Sequence, residues 1–268
     1  MSPITQNSFG PVGRCIYCGD TGGLRREHIM PYGLAGTMTL LDAVCKACEG
    51  ATTSIDGYVL NNFLKNPRTI FNMPSRKGHP ETLRVDTRTK KNIELPAKDC
   101  PSLMFLPVMN QPGLITGDGR GILRGMWMRA FNLDDGRLTE LELKDFVSPT
   151  LDMHRFGQFV AKIAHAMSVA TLGLDGFKPL LLELIRNKDV QPYDFVGGLP
   201  GPAPTTEKIH EATNRIIDVN GKIYVSAEIQ LFSCFGAPRY QIVVGERLNA
   251  PPPEWLKTSW IAASAQPR

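Results

Sequence analysis

Apolar residues recurring at steps of three and four mark one long helix. Phe156, Phe159, Val160, Ile163, Met167 and Ala170 fall on a single face of 152–172. A second helix is predicted over 177–187, "FKPLLLELIRN", after a Gly-Leu-Asp-Gly break. Elsewhere the period drops to two. "TLRVDT" and "NIELP" flank the polar "RTKK" and predict a hairpin, and "SLMFLPV" predicts a short strand. "GDGRG" at 117–121 reads as a turn between "LIT" and "ILRGMWMRAF". The segments "RIIDV", "KIYVSAEIQLF" and "RYQIVVGERL" predict a β-meander whose first turn is Asn220-Gly221.

The first third has a different texture. "LRREHIMP" and "LLDAV" predict two short strands joined by the glycine-containing loop "YGLAGTMT". A helical face of Ile55, Tyr58, Val59 and Phe63 follows, with Thr53 and Asp56 placed like a capping box at its start. The Pro-rich, basic stretch 64–81 reads as a linker. The expected fold is therefore α+β: an N-terminal module over 1–80 and a larger α+β region over 81–268, with hairpins, two helices and the meander.

Composition changes this picture little. A chain of 268 residues with 42% hydrophobic and 21% charged residues can bury a sizeable core. The N-terminus has no apolar signal segment, and "IAHAMSVATLGL" is about half the length of a membrane span. The expectation is a soluble, cytoplasmic protein with no membrane contact. The net charge of +4 is compatible with a polyanionic partner but does not require one. Most of the excess lies in the first third, where Arg25, Arg26, Lys65, Arg68, Arg76 and Lys77 are candidates for phosphate contacts.

Cysteine placement is more specific. Cys15 and Cys18 form one C-x2-C pair, and Cys45 and Cys48 form another. Two such turns supply four thiolates, a complete tetrahedral set for a structural zinc ion with no open position for chemistry. Zinc is favoured over two disulfides because a bridge within C-x2-C is strained unless it is redox-active. Cys100 and Cys234 are expected to be small buried hydrophobes. On the long helix, His154 and His165 share a face roughly 16 Å apart, too far for one metal, and read as polar edge positions.

Between the cysteine pairs lies Glu27-His28-Ile29-Met30-Pro31. Residues 15–64, with C-x2-C, Glu-His-Ile-x-Pro, a glycine-containing loop, C-x2-C and a helix, resemble the HNH endonuclease family, in particular members whose ββα-metal fold is braced by a four-cysteine zinc. The resemblance implies a metal-dependent endonuclease acting on DNA, with RNA as a second nucleic-acid class. His28 becomes the general base that activates water. Glu27 becomes a ligand of a catalytic Mg2+ or Mn2+, and Glu49 stands where the family has a His or Asn after the last cysteine. Asp42 is the nearest candidate for the family's middle Asn. The competing expectation is a zinc-stabilised module that binds nucleic acid or protein without hydrolysis. The region after residue 80 is expected to select substrate, form a homodimer or bind a regulator.

Overall fold

The computed structural model of the chain describes residues 7–86, 92–117, 123–133, 151–186 and 190–251, and in it largely antiparallel strands and separate helices make an α+β fold. Three strands open the chain: β1 (Asn7–Phe9), β2 (Arg25–His28) and β3 (Met38–Val44). They form one sheet in the order β1-β3-β2, with β1 parallel and β2 antiparallel to β3. Two helices follow, α1 (Lys46–Asn61) and α2 (Lys65–Ile70). Next come two hairpins. The first pairs β4 (Thr82–Asp86) with β5 (Asn92–Pro96). The second pairs β6 (Ser102–Met109) with β7 (Leu123–Phe131), and the short helix α3 (Gly113–Thr116) lies between those strands. The long helix α4 (Met153–Leu172) leads to β8 (Phe177–Pro179), α5 (Leu182–Arg186) and β9 (Val196–Gly198). The meander β10 (His210–Val219), β11 (Lys222–Leu231) and β12 (Arg239–Arg247) completes a sheet of order β10-β11-β12-β8, with β9 also paired to β12.

The expected hairpins and meander form for the expected reasons. Asn220 and Gly221 both have positive φ, +54° and +80°, which the right-handed strand twist demands of a two-residue turn. The residues of "RTKK" and most of "GDGRG" lie outside the described residues.

Helix α4 is the hub. Asp152 caps it, accepting from the amides of His154 (2.9 Å) and Arg155 (3.1 Å). Every residue from Phe156 to Ala170 is buried, because α1 and α5 pack against α4 and the meander sheet covers it as well. One apolar cluster runs without a break from Cys15 to Val244. The N-terminal module and the region after residue 80 therefore share a core, and Arg14 reaches Asp175 across the same junction. Among the described residues no helix is long and apolar enough to cross a membrane.

Three local expectations need correction. Residues 177–187 do not form one helix: Pro179 cannot donate to a helical ladder and keeps Lys178 out of the α region, so 177–179 adds to the edge of β12 and α5 begins only at Leu182. The segment "LIT" is helical, not extended. Helix α1 starts at Lys46, with Cys45 in the N-cap position, so Thr53 and Asp56 are mid-helix residues and form no capping box.

His165 is not a polar edge residue. It is fully buried, and its Nε2–H donates to the carbonyl of Ile16 at 2.8 Å. Burial pushes its pKa down to about 4, with the Ile16 bond opposing the shift. A histidine that binds its proton more weakly folded than unfolded favours unfolding in acid, so its contribution is intact above about pH 6.5 and is lost as pH falls towards 4. Relative to His165→Gln, which keeps a donor but cannot titrate, the protein is expected to lose about 2 kcal/mol between pH 7 and pH 5. Urea melts of both proteins at the two pH values measure the difference. A pH-independent difference would rule the assignment out.

Candidate functional site

The sulfurs of Cys15, Cys18, Cys45 and Cys48 all lie within 4.8 Å of one another, and those of Cys18 and Cys45 are 3.6 Å apart. A tetrahedral zinc with Zn–S bonds near 2.3 Å sets its sulfurs about 3.8 Å apart, so the cluster fits that ion. None of the four is in a disulfide. Local backbone geometry aims the first pair. The amide of Gly19 donates to the Cys15 carbonyl at 2.9 Å, in a turn where Gly19 takes φ +80°. The second pair sits on the start of α1. There the backbone amide of Cys48 pulls the Cys45 thiol down to about 7, against burial. Burial pushes the Cys18 and Cys48 thiols up, and neighbouring sulfurs add to the shift. Four crowded thiols of this kind give up their protons to a bound cation.

Tyr17, between the first two cysteines, connects this cluster to the cleft beside it. Its ring is buried, and burial together with the nearby Glu27 and Asp56 charges keeps the phenol protonated. The hydroxyl donates to Glu27 Oε1 at 3.1 Å. The same oxygen lies 3.2 Å from Nζ of Lys162 on α4, and that Nζ is 2.5 Å from Oδ2 of Asp56 on α1. Burial works against the Lys162 charge, but Asp56 and Glu27 outweigh it and hold the ammonium above its ordinary pKa. Burial raises both carboxylates despite the pull of Lys162. Glu27 is the buried residue of β2, opposite Leu40. The β2–β3 ladder slips between Arg25 and Glu27, opposite Asp42, whose φ of +47° marks an extra kink in β3.

A cleft of about 880 Å³ opens over this network. Seven cationic residues line it (Arg25, Arg26, Lys65, Arg68, Arg76, Lys77, Lys162) against three acidic ones (Glu27, Glu49, Asp56). His28 is half-buried in the same lining, 6.4 Å ring to ring from Tyr32. Its Nδ1 is buried and has no hydrogen-bond partner. Burial lowers its pKa, and the charges of Lys162, Arg76 and Arg26 lower it further, so the imidazole is neutral at pH 7.

The predicted site residues thus gather at one cleft in different roles. Lys65, Arg76 and Lys77 are exposed along it, as is Arg26. Arg25 is tied to Glu49 by a 2.6 Å ion pair. Arg68 is a structural residue and not a phosphate contact. It is 8% exposed and donates to the carbonyls of Gly33 (2.7 Å), Leu60 (3.0 Å) and Pro74 (3.1 Å). The carboxylates expected to share a catalytic Mg2+ or Mn2+ are each held by a different cation, Glu27 by Lys162 and Glu49 by Arg25. Among the described residues, the four cysteines are the only group of three or more His, Cys, Asp or Glu side chains close enough to hold a metal. The acidic residues present do not fit a divalent-ion site. Tyr17, Asp56 and Lys162 escaped the sequence reading. The signal for Lys162 was a lysine three residues after Phe159, on the apolar side of the helix, where only a buried acid could tolerate it.

Elemental analysis is expected to find one zinc per chain. Cys45→Ser should cost several kcal/mol, because the binding energy of such an ion is folding energy. A zinc-free preparation that melts like the loaded protein would overturn this assignment. Arg68→Ala should cost about 3 kcal/mol in urea melts while leaving nucleic-acid affinity within about twofold. Weakened binding with unchanged stability would contradict the structural role.

No family model, no curated protein and no solved structure matches the chain.

Proposed function

We propose that the protein binds nucleic acid in this cleft and hydrolyses phosphodiester bonds in DNA as an HNH-type endonuclease, with His28 as general base. One observation carries the reading. A half-buried neutral imidazole lies in the lining of a cation-rich cleft, on a hairpin tied to a helix through a four-cysteine cluster. The order of β2 and β3 between the cysteine pairs, with α1 starting at the second pair, supports it, since it matches the ββα order of the resembled family.

The chemistry follows from these groups. Exposed Lys65, Arg76 and Lys77 attract the phosphate backbone and offset its charge. A neutral His28 accepts the proton of a water as that water attacks phosphorus, while the bond from phosphorus to one sugar oxygen breaks and that departing oxygen takes a proton from solvent water. The depressed pKa keeps the base free of its own proton at neutral pH. A second reading, a zinc-braced module that holds nucleic acid without cutting it, is favoured by the ion pairs that occupy Glu27 and Glu49.

Plasmid DNA incubated with the zinc-loaded protein, beside His28→Ala, separates the two. Cutting that drops at least about 100-fold in the variant supports the nuclease. Retarded but intact plasmid supports the binding module, and equal cutting by both proteins removes His28 from the reaction. Cleavage should be flat above pH 6.5 and fall only at lower pH, because His28 must first lose a proton and does so below its ordinary value. A rate that climbs through pH 8 would contradict this assignment.

A further inference from the structure

The deepest charge in the cleft is an ammonium. Lys162 reaches the lining from α4 with its side chain 2% exposed. Two carboxylates converge on its Nζ, Asp56 at 2.5 Å and Glu27 at 3.2 Å. Paired acids on the floor of a phosphate-binding cleft ordinarily hold a divalent cation through their oxygens. Here the same kind of pair closes on nitrogen instead. We propose that Lys162 is the resident cation of this cleft, occupying the position between Glu27 and Asp56, so that Mg2+ and Mn2+ do not bind there and the cleft engages a phosphodiester without them.

Three features support the assignment. The ammonium cannot swing aside easily, because the neighbouring helical residues Phe159 and Ile163 are fully buried and lock this part of α4 into the core. A divalent ion between the same carboxylates would sit against a buried positive charge with little water to screen it. The Glu27 oxygen that meets Lys162, Oε1, also accepts from the Tyr17 hydroxyl. Oδ1 of Asp56 is also buried and has no partner. Without Lys162, that atom and the released oxygens would form an acidic floor with no cation. The clause about a phosphodiester rests on the nucleic-acid reading above; exclusion of the ion does not.

Mn2+ titration of the zinc-loaded full chain, followed by the electron paramagnetic resonance signal of free Mn2+, tests the proposal. Wild type, Asp56→Asn, Lys162→Ala and Lys162→Ala/Asp56→Asn are compared. Expected is no specific uptake by wild type and one Mn2+ per chain in Lys162→Ala. That uptake should be at least about tenfold tighter than any wild-type binding, raise the Tm of the variant and disappear in the double variant. One Mn2+ bound by wild type and lost in Asp56→Asn would overturn the proposal. So would a folded Lys162→Ala that takes up none. Should Lys162→Ala fail to fold, the wild-type and Asp56→Asn pair decides alone. Plasmid cutting at fixed zinc that demands Mn2+ overturns the phosphodiester clause. Absence of cutting together with absence of Mn2+ uptake refutes the nuclease and leaves ion exclusion standing.

Discussion

A lysine ammonium buried between two carboxylates is the constraint around which this molecule is arranged. The lysine and its two partners come from three elements: Glu27 from β2, Asp56 from α1 and Lys162 from α4. Charges this deep are tolerated only when each is matched, and removing one partner of such a group typically costs about 3–5 kcal/mol. The trio therefore sets how the hairpin, the first helix and the central helix meet. It also fixes the floor of the cleft, because the same three residues line it.

The cysteine cluster acts on this network through a short path. Tyr17 belongs to the turn that aims Cys15 and Cys18, and its hydroxyl is on Glu27. Ile16 in the same turn offers its carbonyl to His165, one turn of α4 beyond Lys162. Whatever organises the four sulfurs thus also places the Tyr17 hydroxyl and the Ile16 carbonyl against α4. None of the four cysteines lines the cleft, yet their turn reaches Glu27 in that lining through Tyr17.

What could be read from the chain alone follows the range of the interactions. The C-x2-C pairs, the Asn-Gly turn and the apolar face of α4 are local patterns, and they were legible. The start of α1 was misread because Thr53 and Asp56 imitate a cap, while the true boundary is Cys45, held by the sulfur cluster. The roles of Glu27 and Arg68 were not legible. Glu27 is buried because it meets a lysine from a distant helix, which nothing near it in sequence announces. Arg68 serves carbonyls on both sides of it in sequence, from Gly33 to Pro74. Neither role leaves a periodic trace. His165 looked like a polar margin because nothing in its own helix announces the carbonyl of Ile16, 149 residues away.

The shared core bears on how this sequence can drift. Positions 27, 56 and 162 are coupled electrically although they lie on three separate stretches of chain. A lineage that replaced the lysine with a neutral residue would have to neutralise an acid in the same step or recruit a cation from solution. Loss of the lysine alone would exchange a covalently tethered cation for one that the protein must collect from its surroundings.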